Sequence, residues 1–502
     1  MKCRIPHPFI RFIKKYSVQS LLLGITKIAL ECFNNPSNEF GLFASYMSYS
    51  VANKMKPSKR SVLVVQTWLI DLIYHIACMD SYGTQQINRD EALYLIDLFS
   101  DYTDKNTPRN RTQLDMHLYL YGFFGEQKRF QETGEFYKDF AREKYILDVI
   151  SEKTRVVDKN IIDVRNTFKD ITGYTLDEYS ALMFVTTSCF ISKSPIVIED
   201  QFSSLLDNPL LCKTNIMKIM KRYSIEIENI RDNPLGRQVF YAKPFIKVDK
   251  VFVSVNPFIA LSCFTNANYW VLRNYFFQKD KNESQKFIRD FGIMFEEYVR
   301  EVFSNCLSDE QYHRIPESNT EKRADWRLKI GGYDFLIEQK SGLSMLGIKQ
   351  SQPDIEAMKK HILKNWGEAV EQLYCTQIAE KLSNPIKIIL VYEDYYKSEC
   401  LDELFELNHS IRNDQKYWLV TIRELEMIMI TYKKNPELFF KIIREKDEAE
   451  LNESKDGREL LMFLTNNEIK RNEYLEEFGI TNQFERIVHI CTGKNSNTEM
   501  NL

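Results

Sequence analysis

The chain has 502 residues, with 67 Lys+Arg against 70 Asp+Glu for a net charge of −3, and 44 % apolar and 27 % charged residues. Such a composition excludes wholesale disorder, collagen-like and coiled-coil architectures, and the length allows roughly three domains at about 150 residues each. Only 17 Gly and 14 Pro stand against 33 Phe and 27 Tyr, a balance that favours helices on short connections and argues against an all-β fold.

Residues 1–60 carry ten Lys/Arg and two acids. Phe9, Phe12, Ile13 and Tyr16 recur among those cations at a spacing that suits a helix with a solvated Lys face; an electrostatic footprint for nucleic acid or anionic lipid is the alternative. The apolar run Leu21-Leu22-Leu23-Gly24-Ile25 falls far short of the ~18–20 residues needed to cross a bilayer. Ten cysteines lie singly, with no Cys-x-x-Cys pair and no zinc-type spacing, and read as reduced thiols. The expected location is cytoplasmic.

From about 61 to 235 the pattern is helical. Asn88 with Glu91, and Thr175 with Glu178, have the N-cap-x-x-Glu form in which each side chain satisfies a backbone N–H at a helix start. At 239–263, β-branched and aromatic runs flank Val248-Asp249-Lys250 and read as a β-hairpin. A helix at 264–277 follows, and the charged stretch 278–283 reads as a linker and domain boundary. The expected division is a helical sensing or regulatory region at 1–235, a hairpin, helix and linker at 236–283, a catalytic module at 284–430 and a helical extension at 431–502.

Within the third part the order is a helix at 285–305, strands at 323–330 and 333–339 around Gly331-Gly332, a helix at 355–382 and a strand at 386–392. A further strand at 417–422, a helix at 423–432 and a solvated linker at 445–456 follow. The hairpin places Asp325 on its first strand and Glu338-Gln339-Lys340 at the end of its second. Strand alternation sends Glu338 and Lys340 to one face and Gln339 to the other. Two hard oxygen donors suit Mg²⁺, which keeps several waters, and a lysine beside them can offset charge on a phosphoryl transition state. Acid-x-Lys triplets also begin at Glu126, Asp414, Glu453 and Glu468, but only Glu338 follows a strand-borne Asp across a turn. The bland alternative is a surface ion network of Asp325 and Glu338 with Lys340, Arg323 and Arg327.

With Gly292-Ile293-Met294-Phe295-Glu296 on the leading helix, Ala324-Asp325 on the first strand and Ile337-Glu338-Gln339-Lys340-Ser341-Gly342 on the second, residues 285–395 resemble the PD-(D/E)xK, or restriction-endonuclease-like, nuclease superfamily. The resemblance implies an α+β fold in which the helical N-terminal region precedes an α-β-β-β-α-β core, a mixed sheet flanked by helices. It implies Asp325 and Glu338 as metal ligands, the Gln339 carbonyl as a further ligand, Lys340 as catalytic lysine and Glu296 as auxiliary acid, with Mg²⁺ or Mn²⁺ as cofactor. It also implies hydrolysis of nucleic acid, DNA more than RNA, as in bacterial anti-phage defence or restriction. The residue before Asp325 is Ala where the family often has Pro. Gln372, a candidate brace for the site, is followed four residues later by Thr376 where the RecB-like signature has Tyr.

Arg323, Arg327, Lys349, Lys359 and Lys360 are candidate phosphate contacts. No phosphate-binding G-x-x-x-x-G-K-[S/T] loop occurs, so an ATP-driven step would need a partner subunit; a homo-oligomer is the other assembly left open. Two further readings stand beside the nuclease. One is a non-catalytic interaction protein on the same fold. The other is a metal-independent HEPN-like RNase using Arg111 and His117, which have five residues between them.

Overall fold

In this computed structural model the described residues are 7–35, 41–48, 58–104, 112–128, 135–191, 196–198, 208–316, 318, 321–342, 354–392, 404–405, 407–408, 417–451 and 459–493. Among these residues the fold is mixed α+β, with many helices and three small sheets.

The N-terminal helices begin where capping chemistry directs. Asn88 and Glu91 exchange side-chain bonds to each other's backbone N–H at 2.9 Å, and Thr175 and Glu178 do the same at 2.8 and 3.2 Å. Phe9, Phe12, Ile13 and Tyr16 are all buried, so the basic N-terminal segment lays an apolar face on the core. The region is not wholly helical. Leu42–Ser48 and Ser58–Val64 form an antiparallel pair, and Ile196–Ile198 and Ser224–Glu226 join the hairpin Phe245–Val248 and Val251–Ser254 in a four-stranded sheet. Three-residue strands and pairings across long separations leave little trace in local periodicity.

The stretch 278–283 is not a linker. Helix Ala267–Lys279 meets α1 (Lys281–Cys306) with Asp280 alone between them, and the Asp280 carboxylate caps α1 through Asn282 N at 2.7 Å and Glu283 N at 2.9 Å. The charge density there marks a helix start. One hydrophobic core runs through this point, from Phe140 and Tyr269 to Phe287, Trp326 and Ile487.

After α1 come β1 (Tyr312–Arg314), β2 (Trp326–Ile330), β3 (Tyr333–Lys340), a long helix α2 spanning 355–379 with a π-helical turn at Ile362–Gly367, β4 (Ile386–Val391), β5 (Tyr417–Thr421), α3 (Ile422–Lys434) and α4 (Pro436–Leu451). The five strands lie in sequential order. The first three are antiparallel, and β3, β4 and β5 are parallel. One sheet face, with Trp326, Leu328, Ile337, Ile388 and Trp418, packs on α1, α3 and α4. The other, with Leu336, Ile389 and Leu419, packs on Met358, Ile362, Trp366 and Leu373 of α2. Burying each such side chain contributes about 1.5–3 kcal/mol. Thr421 and Glu424 form a capping box that turns β5 directly into α3.

Residues 445–451, expected as part of a solvated linker, are the last turns of α4. Lys446 there is fully buried, paired with Glu450 and lying 4.9 Å from the Trp418 ring centre. Neutralisation and a cation–π contact let a charged sequence sit inside.

A buried charge cluster ties the N-terminal half to the sheet. Glu426 on α3 has no exposed surface. It accepts from Arg142 Nε at 2.6 Å and Nη2 at 2.7 Å, from the Tyr298 hydroxyl at 2.5 Å and from Asn472 Nδ2. Glu426 holds the Arg142 guanidinium charged against the cost of its burial. A second tie is the helix Gln113–Lys128. Near its start Asp115 meets Lys359 of α2 at 2.8 Å, and near its end the buried Glu126 meets Arg237 at 2.9 Å. No helix among the described residues is long and apolar enough to cross a membrane.

Candidate functional site

The site is built by a two-residue turn. Gly331 and Gly332 have φ of +55° and +89°, a left-handed pair that side-chain-bearing residues resist and that matches the twist of a tight hairpin. Ile330 then pairs with Tyr333, and the register runs to Trp326 opposite Ile337. One further step sets Asp325 opposite Glu338. Asp325 N donates to Ile337 O at 3.1 Å, and Asp325 Oδ2 accepts from Gln339 N at 2.7 Å, so this carboxylate is anchored to the backbone of the neighbouring strand.

Glu338 is only 3 % exposed. Its Oε1 lies 2.7 Å from Lys340 Nζ, and its Oε2 is buried with no hydrogen-bond partner. Burial, and then the Asp325 carboxylate, push the Glu338 carboxyl up to about 8 against the pull of Lys340. Asp325 is also raised, by burial, while the Gln339 N–H and the Lys340 charge act the other way. Burial and the neighbouring Asp325, itself only partly buried, thus disfavour negative charge on Glu338. An orphaned buried oxygen beside a second carboxylate is a donor set that fits a hard divalent cation such as Mg²⁺.

Among the described residues no group of three or more His, Cys, Asp and Glu is placed to hold a metal, so Glu296 does not complete a triad with Asp325 and Glu338. Its carboxylate is ion-paired with Arg314 of β1, with Arg314 Nη2 at 3.1 Å from Oε2. That Arg314 charge also acts on Asp325. The sequence pattern missed it because β1 has only three residues. Gly292, one turn before Glu296, faces the strand end, where a Cβ would lie 3.4 Å from Ser341 Oγ, an ordinary contact. The Gln339 side chain is on the opposite face, accepting from Trp326 Nε1 at 3.3 Å, so any contribution from this residue to the site falls to its main chain.

Gln372 does reach the site: its Oε1 accepts from Lys340 Nζ at 3.1 Å. Thr376 joins it, accepting from Ala324 N at 2.7 Å. Its placement one turn beyond Gln372 on the same helix face was the available signal.

Three of the five candidate phosphate contacts are engaged in ion pairs. Arg323 pairs with Glu321 at 2.6 Å and Glu380 at 3.4 Å, Arg327 with Asp334 at 2.8 Å and Glu380 at 3.4 Å, and Lys359 with Asp115 at 2.8 Å and Glu356 at 3.2 Å. Glu380 and Asp115 are distant in sequence, so inspection of the cations alone could not find them. Lys360 is exposed. Lys349 lies outside the described residues, as does Arg111; His117 sits half-buried on the helix Gln113–Lys128. None of the eight described cysteines is in a disulfide.

Comparison of the chain with protein-family models, curated proteins and solved structures found no match.

Proposed function

We propose that the protein is a divalent-metal-dependent nuclease that hydrolyses phosphodiester bonds, with DNA the favoured substrate and anti-phage defence or restriction the biological setting. The observation that carries this reading is the pairing of Asp325 and Glu338 across the hairpin with Lys340 Nζ 2.7 Å from Glu338. The helix, three strands, helix and strand of 281–391, in that order, support a restriction-endonuclease-like core. The unsatisfied Glu338 Oε2 supports the metal.

In this mechanism Asp325 and Glu338 would hold Mg²⁺ or Mn²⁺, with the Gln339 carbonyl as a further candidate ligand. A bound cation supplies Lewis-acid stabilisation of negative charge on phosphate and a more acidic bound water. The residues of the chain do the rest. Lys340, hydrogen-bonded to Glu338, presents its amine head to the oxygens on which charge develops and orients a water by donating to it. Gln372 holds that amine in place, and Gln339 N holds Asp325. Glu296, tied to Arg314, acts from outside the carboxylate pair.

The test is incubation of the purified full chain with plasmid, linear DNA and RNA in Mg²⁺, Mn²⁺ or EDTA. Cleavage in Mg²⁺ or Mn²⁺ that stops in EDTA is expected. Full activity in EDTA overturns the proposal and directs attention to Arg111 and His117.

A further inference from the structure

The peptide group joining Arg323 to Ala324 is held at both edges by one helix. Its carbonyl accepts from Gln372 Nε2 at 3.1 Å, and its N–H donates to Thr376 Oγ1 at 2.7 Å. The Thr376 hydroxyl donates in turn to Gln372 O at 2.8 Å, which aims an oxygen lone pair at Ala324. Thr376 is fully buried, so no water can substitute for it there. The Gln372 amide can adopt only one orientation, since its nitrogen faces a carbonyl and its oxygen faces the Lys340 ammonium at 3.1 Å. The clamped peptide leads straight into Asp325, and the same amide grips Lys340.

We infer that Gln372 and Thr376 are positioning residues that fix Asp325 and Lys340 relative to each other through the Arg323–Ala324 peptide. The inference rests on the nuclease reading for its effect on rate, because the separation matters to turnover only if the two side chains act on one phosphodiester. Small misplacements of reacting groups cost orders of magnitude in rate, whereas substrate binding along the rest of the surface does not depend on this peptide. Thr376 thus supplies, with a hydroxyl to a backbone N–H, a second grip that the Gln372 position alone does not reveal.

The experiment uses the full chain and four variants: Thr376→Val, Thr376→Ser, Gln372→Met and the Thr376→Val/Gln372→Met double. Each is assayed in Mg²⁺ well below its melting temperature, alongside hydrogen exchange of the segments 321–327 and 336–342. Thr376→Val is expected to lower kcat by about tenfold to a hundredfold with KM within about twofold, and Thr376→Ser to restore most of it. The double variant should be little worse than either single one. An active parent with an unchanged Thr376→Val, or one in which only KM rises, overturns the inference and leaves the nuclease reading standing. A parent inert with every metal and substrate overturns the nuclease reading instead, and exchange then decides the clamp. Faster exchange in both segments of Thr376→Val upholds the coupling, and a change confined to 321–327 refutes it.

Discussion

Glu338 and Lys340 share one hydrogen bond of 2.7 Å, and it occupies only one of the two Glu338 oxygens. The carboxyl proposed to offer its second oxygen to a cation is therefore also the one pushed up to about 8, and in the proposed site proton and metal would compete for it.

The competition sets a pH dependence. An unfolded Glu titrates near 4.5 and this one near 8, so between those values the folded chain binds more protons than the unfolded chain, and stability falls as pH rises through the window. Thermal melts in EDTA from pH 5 to 9 should show this loss in the parent and less of it in Glu338→Gln. The remainder comes in part from Glu143, which burial pushes up to about 7. Stabilisation by added Mn²⁺ should grow over the same range as the proton leaves.

Asp325→Asn, Glu338→Gln and Lys340→Ala should each reduce cleavage by at least about a hundredfold, the scale for removing a charge-stabilising group. Circular dichroism should stay native-like. Two of the three keeping parental turnover would mean the site is elsewhere.

Glu296→Gln should be milder than Glu338→Gln. The Glu296 carboxylate is already neutralised by Arg314, and the substitution leaves Asp325 and Glu338 in place. Parallel cleavage assays of Glu296→Gln, Arg314→Gln and Glu338→Gln rank the three, and equal losses in the first and last would place Glu296 among the metal ligands.

Arg142→Met should cost about 3–5 kcal/mol in denaturant unfolding, because it strands the buried Glu426 charge. Arg142→Met with Glu426→Met should recover only part of that loss, because it leaves the buried Tyr298 hydroxyl and Asn472 amide without their acceptor. For the same reason a fragment starting near Gln278 is expected not to fold alone, as it lacks Arg142; Phe140 and Phe264, which stack at 4.6 Å, are lost with it. Gel filtration of that fragment with and without co-expressed 1–278 is the check.

How much could be seen in advance follows the range of the interactions. The turn at Gly331-Gly332, the hairpin around Asp249 and the Glu91 and Glu178 caps are set within a few residues, and they stand where the sequence puts them. The Asp325 and Glu338 juxtaposition was legible because strand alternation and one turn determine it. Asp280 was misread because a capping carboxylate followed by polar helix residues resembles a linker. The fates of Arg323, Arg327 and Lys359 depend on Glu380 and Asp115, and the role of Thr376 depends on the docking of α2. Those contacts exist only after the layers assemble.

The pairing of Arg142 with Glu426 spans 284 residues. At the ribosome's pace of about 5–20 residues per second, the arginine is made roughly 15–60 s before its partner. Asp325, Lys340 and Thr376 are all synthesised inside that interval, and so are β1 to β5, whose core-facing side waits for α3 and α4. A nascent or prematurely terminated chain thus carries the candidate site's side chains on a sheet that has α1 and α2 to pack against but not yet α3 and α4. The pairing of buried charges therefore ties the final packing of that sheet face to residues translated after the candidate site itself.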